Sequence, residues 1–167
     1  MRLEELKNKI EFENILEKYK YDFDKISNNI SSNSNKIPED FIDYFKDKLN
    51  WDCISMNQKL SEPFIEKYKD YVNWDIISAW QKLSELFIEK YKNYINWDCI
   101  SMNQELSESF IAKYKDKLNW NKISYYQHLS EPFIEKYKNY INLNAISESK
   151  YKELDKLAFY FCYSEIK

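Results

Sequence analysis

The stretch LSEPFIEKYKDYVNWDIISAWQK, residues 60–82, decides the fold, because the chain repeats it with a period of 23 residues. Copies run over 37–59, 60–82, 83–105, 106–128 and 129–151, and the octets Trp51–Gln58 and Trp97–Gln104 are identical. A shorter copy, ILEKYKYDFDKIS, precedes them at 15–27 and lacks two residues before Phe23. Self-similarity at this period marks an array of small supersecondary units. The fold expected is all-α: a short α-solenoid of tandem two-helix repeats with helical caps.

The punctuation inside each copy shows where its two helices begin. Numbered from the leading Leu or Ile, position 2 is Ser61, Ser84, Ser107 and Ser130. A serine hydroxyl there accepts one of the unpaired amides that open a helix. Pro63 and Pro132 follow in the first turn, where a missing N–H is harmless. Position 14 is Asn50, Asn73, Asn96, Asn119 and Asn142, each able to cap the second helix. Asp52, Asp75 and Asp98 come next and favour the positive end of that helix. The first copy departs from the pattern, with Pro38 where the others have Ser.

Apolar residues at positions 5, 6, 9 and 13, as in Phe64, Ile65, Tyr68 and Val72, make one stripe on the first helix. Trp74 and Ile77, positions 15 and 18, do the same on the second. Helices of about 10 and 8 residues fall below the length at which an isolated helix is even marginal. Each copy is therefore expected to need its neighbours for burial. The organisation expected is an N-terminal cap with the degenerate copy and a Ser/Asn loop over 1–36, five repeats over 37–151, and a capping helix over 152–167, together forming one domain. Within the first segment, Met1 to Glu13 is expected to form an amphipathic helix over the short copy.

With its Ser-Glu-Pro-Phe opening and Asn-Trp-Asp centre, the motif LSEPFIEKYKDYVNWDIIS resembles short helical repeats of uncharacterised proteins from giant DNA viruses, phages and AT-rich microbes. The resemblance covers residues 37–151. It implies a helical repeat and a viral or phage origin, and it carries no catalytic residues.

Composition narrows the function. The chain has no Gly, which removes phosphate-cradling loops, nucleophile elbows and dinucleotide fingerprints. Its one His, His128, stands at a repeat junction, and its three Cys show no CxxC spacing, so neither a catalytic triad nor a zinc site is expected. No catalytic residue, metal or other cofactor is assigned. A net charge of −3 gives no global basic field for nucleic acid or anionic membrane. No apolar run approaches the roughly 20 residues of a membrane span, and the expectation is a soluble, cytoplasmic protein.

Two groups of residues suggest binding. Carboxylates recur at positions 3, 7 and 11: Glu39, Asp43 and Asp47, then Glu62, Glu66 and Asp70, with Glu85 and Glu89 in the third copy. Spaced by four, they are expected on one helix face, either as a solvated mixed-charge surface or as an acidic ridge that imitates a nucleic-acid backbone. Lysines at positions 8 and 10 flank them. The second group is the variable part of helix two. Position 17 reads Cys53, Ile76, Cys99, Lys122, Ala145, and position 20 reads Met56, Ala79, Met102, Tyr125, Glu148. Position 21 reads Asn57, Trp80, Asn103, Tyr126, Ser149. Size at 17 trades against size at 20, so these two positions read either as a shared packing pocket or as a surface. Position 21 shows no such trade in the first three copies. Trp80 and Tyr126, then Tyr125, are therefore the foremost contact candidates, with Met56, Asn57, Met102 and Asn103 beside them.

The function expected is a non-catalytic scaffold that binds another protein. An inhibitor of a host nucleic-acid-handling or defence complex, acting through the acidic ridge, is the alternative. A single-stranded nucleic-acid binder that stacks bases on Trp80, Tyr125 and Tyr126 comes third. The same aromatic surface also suits self-association.

Overall fold

The computed structural model describes residues 3–28 and 37–148; the Ser/Asn loop at 29–36 and the expected cap at 152–167 lie outside them. Among the described residues there are twelve helices and no strand. The chain divides into two compact units, Met1–Gln81 and Lys82–Lys167. The first holds α1 (Leu3–Lys18), α2 (Phe23–Asn28), α3 (Glu39–Tyr44), α4 (Trp51–Asn57), α5 (Glu62–Lys67) and α6 (Trp74–Trp80). The second holds α7 (Glu85–Lys90), α8 (Trp97–Asn103), α9 (Glu108–Lys113), α10 (Trp120–Tyr126), α11 (Glu131–Lys136) and α12 (Leu143–Ser147). Both are built from two-helix repeats. The second helices line up side by side, α2 on α4 on α6 in one unit and α8 on α10 on α12 in the other.

The capping chemistry starts each helix where its side chains require. The Ser61, Ser84, Ser107 and Ser130 hydroxyls accept the amides of Phe64, Phe87, Phe110 and Phe133. All five Asn at position 14 accept amides at the start of helix two. Pro38 supplies no side-chain cap to α3.

Helix one is shorter than its apolar periodicity suggests, with six residues in each full copy. After position 8 the backbone tightens into a turn, in which the Tyr71 amide donates to the Tyr68 carbonyl at 2.9 Å and the Tyr94 amide to that of Tyr91 at 2.8 Å. The indole of the same repeat holds that turn. Trp51, Trp74, Trp97 and Trp120 donate Nε1–H to the carbonyls of Lys46, Lys69, Lys92 and Lys115 at 3.0, 2.9, 3.2 and 2.8 Å. A backbone carbonyl freed by the end of one helix is thus satisfied from the start of the next. The indoles are half-buried rather than core. The following repeat covers the face of three of them, Tyr68 at 4.9 Å from Trp51, Tyr114 at 5.0 Å from Trp97 and Tyr137 at 5.7 Å from Trp120.

The core proper is made of position 5 and 6 residues such as Phe64 and Ile65, together with the position 18 isoleucines. Ile54, Ile77, Ile100 and Ile123 have no exposed surface. Complete burial of each contributes about 1.5–3 kcal/mol.

The N-terminal segment differs from the expected short cap. One helix, α1, runs from Leu3 through Lys18 and absorbs the first half of the degenerate copy. Phe12 stands where the full copies carry a capping Ser, so nothing interrupts the helix there. The two missing residues are taken up by a sharp turn with left-handed Lys20 and Tyr21, φ 53° and 59°. Asp22 then caps α2 by accepting the Lys25 amide at 3.0 Å. α1 covers the first full repeat through Phe12, whose ring meets that of Phe41 edge-on at 5.2 Å.

Candidate interaction surface

Adjacent repeats are joined by a fixed set of polar bonds. Position 22 is Gln58, Gln81, Gln104 and Gln127, all buried. Gln81 Oε1 accepts the Leu60 amide at 3.0 Å, while its Nε2 donates to the Ser55 and Gln58 carbonyls at 2.8 and 2.6 Å. In the second unit Gln127 repeats the pattern on Leu106, Ser101 and Gln104. Ser124 Oγ donates to the Trp120 carbonyl at 2.7 Å and accepts the Asn142 amide at 3.0 Å. Ser101 does the same with Trp97 and Asn119. These buried Gln and Ser side chains were not singled out by the apolar stripe. The available signal was recurrence, of Ser at position 19 in all five full copies and of Gln at position 22 in the first four.

The same polar joints use up part of the carboxylate set. Glu39 accepts both the amide and the hydroxyl of Ser61, and Glu85 those of Ser107. Asp43 pairs with Lys67 and Glu89 with Lys113, in both cases one repeat onward. Glu62 is half-buried and Glu66 exposed. Asp47 and Asp70 are exposed but lie beyond the ends of α3 and α5, in the turns. The expected trios on single helices therefore do not form, because helix one stops at position 8. Glu89 is held below the ordinary carboxylate range, first by the Lys113 hydrogen bond and then by that ammonium's charge. Asp98 is lowered likewise, first by the Asn119 side chain at 2.8 Å and then by Lys122.

The variable positions sit at the rim of helix two. Position 17 is half-buried in every copy, including Cys53 and Cys99, so it is neither sealed core nor open surface. Burial pushes the Cys53 thiol up, and Asp52 and Asp24 add to the effect. At position 20, Met56 is exposed and Met102 and Tyr125 are half-buried. At position 21, Trp80 and Asn103 are exposed and Asn57 and Tyr126 half-buried. Tyr125 and Tyr126 meet edge-on at 4.7 Å. The two foremost candidates, Trp80 and Tyr126, lie in different units, so each is placed only within its own.

Trp80 stands apart. The four position 15 indoles are half-buried with Nε1 bonded to main chain, whereas Trp80 keeps 65% of its surface open at the end of α6. His128 is exposed at its junction. Among the described residues no group of three or more His, Cys, Asp or Glu could hold a metal ion, and no helix is long and apolar enough to cross a membrane. No family model, curated protein or solved structure matches the chain.

Proposed function

We propose that the protein is a non-catalytic repeat scaffold that binds another protein through the rim of its second helices, with Trp80 as the principal anchor in the first unit. The observation that carries this reading is the open indole of Trp80 in a chain whose other four tryptophans are half-buried and hydrogen-bonded to main chain. An exposed indole forgoes the burial free energy of a large aromatic ring, and such rings are the commonest anchors of protein interfaces. The backbone beneath it is fixed, since the Gln81 amide closes α6 onto the Ile77 carbonyl at 3.0 Å. Exposed Met56 and half-buried Asn57 occupy the matching rim of the preceding repeat. Tyr125 and Tyr126 form the corresponding aromatic pair of the second unit. The acidic-ridge reading draws less support, because four of its carboxylates bind the next repeat and two lie off the helix.

The test is a comparative affinity capture with wild type and Trp80→Ala, both checked for equal urea midpoints. A protein partner retained by wild type and lost by Trp80→Ala supports the reading. A partner retained equally by Trp80→Ala and by Tyr125→Ala/Tyr126→Ala overturns it.

A further inference from the structure

Positions 10 to 12 of the repeat form the turn that follows helix one, and this turn differs in charge between the two units. In the first unit it reads Lys46-Asp47-Lys48 and Lys69-Asp70-Tyr71; in the second it reads Lys92-Asn93-Tyr94, Lys115-Asp116-Lys117 and Lys138-Asn139-Tyr140. Asn replaces the central acid in two of the last three turns, leaving four lysines against Asp116. Lys92, Tyr94, Lys117, Lys138 and Tyr140 are exposed and Lys115 is half-buried.

All three turns close alike, and the first two are also held from the start of the following helix. The indoles of Trp97 and Trp120 bond to the Lys92 and Lys115 carbonyls, and each turn closes with an amide-to-carbonyl bond at position 12. In the last two turns position 12 also lies over the preceding tryptophan: Lys117 Nζ is 5.6 Å from the Trp97 ring and Tyr140 is 5.0 Å from Trp120. Lys115 reaches toward Tyr140, its Nζ 3.5 Å from the phenolic oxygen and 5.5 Å from the ring centre. Lys138 pairs with exposed Glu135, the kind of pair that water and salt screen.

We propose that this row of turns in the second unit, Lys92, Tyr94, Lys115, Lys117, Lys138 and Tyr140, binds single-stranded nucleic acid. Tyr94 and Tyr140, 50% and 41% exposed, offer ring faces on which bases stack, and the lysines between and beside them meet the phosphates. Interleaved cations and aromatic rings favour this occupant over an acidic polypeptide, which would use the lysines and leave the rings idle. Its residues differ from those of the helix-two rim proposed above, so separate variants test the two readings.

The test is fluorescence anisotropy of a labelled oligothymidylate of about 15 nucleotides, within the span of known single-strand sites, titrated with the full chain at low salt. Saturable binding that weakens steadily with salt is expected. Lys115→Glu/Lys117→Glu should abolish it. Tyr140→Ala should weaken it at least about fivefold, while Tyr140→Phe retains it. Lys46→Glu, in the first unit, should leave it unchanged, as should Trp80→Ala. An absence of binding at low salt overturns the proposal. So does equal affinity for an abasic oligomer or for polyglutamate, because either result removes the rings from recognition.

Discussion

Gln81 accepts the amide proton of Leu60, 21 residues earlier in the chain, on a buried oxygen, and donates two bonds from its Nε2 to carbonyls of the preceding repeat. One side chain thus satisfies a donor and two acceptors at a joint where backbone–backbone bonds are interrupted. Buried polar groups left unpaired at such a joint cost about 1–3 kcal/mol each.

Replacing the joint glutamine is therefore expected to be expensive. Gln81→Leu and Gln127→Leu should each lower unfolding free energy by about 2–4 kcal/mol in urea titrations, the sum of the unpaired groups less the gain from an apolar side chain. Gln58→Leu should cost less, because Gln58 Nε2 has no hydrogen-bond partner and only its oxygen, on the Ile37 amide, is engaged. Equal losses at all three positions would contradict this ranking.

Position 18 sets the apolar counterpart. Ile100 is fully buried, and Ile100→Ala should cost about 2–5 kcal/mol by equilibrium unfolding. Its neighbour Asn103 is exposed, and Asn103→Ala should change stability by no more than about 0.5 kcal/mol.

The helix starts were legible in the sequence because capping is local chemistry: Ser61 and Asn73 act on amides two or three residues away. The isoleucines and phenylalanines of the core followed from helical spacing. The length of helix one was not legible, because it is set by the Trp74 indole bonding to the Lys69 carbonyl, a tertiary event that periodicity does not record. Gln81 reads as an ordinary polar residue at a helix end, and its role emerges only when residues 21 to 26 apart are brought together. The carboxylates misled for the same reason. Glu39 and Asp43 look like solvated surface until Ser61 and Lys67 of the next repeat arrive beside them. At the rim, position 21 varies without a size trade against its neighbours, and Trp80 there is exposed.

The Glu89–Lys113 pair gives a pH dependence of known sign. Glu89 is lowered in the folded chain, so its contribution is present above the unfolded carboxylate value and fades as pH falls through the folded one. Lys113 is raised, first by its hydrogen bond to Glu89, so its contribution is complete below the unfolded lysine value and fades as pH rises through the folded one. The Tm difference between wild type and Glu89→Gln should hold steady from about pH 5 to pH 9 and shrink by pH 3, measured at low salt. A difference unchanged at pH 3 would assign the effect to something other than charge.

Trp80 has an optical signature. Trp80→Phe should remove the red-shifted, readily acrylamide-quenched part of the intrinsic emission, with Tm nearly unchanged, since the indole is 65% exposed. Trp97→Phe should instead remove shielded emission and lower Tm, because it frees the Lys92 carbonyl.

The interlocking of successive repeats is tested most directly by native-state hydrogen exchange at the Leu60 and Leu106 amides. Neither belongs to a helix, yet each donates to the buried glutamine at the far end of its own repeat, whose Nε2 is bonded to the repeat before. Both should exchange as slowly as the amides of Ile77 and Ile123 within the helices, and Gln127→Leu should release Leu106 while leaving Leu60 protected. Exchange of both amides in the wild-type protein at the rate of an open loop would contradict the account.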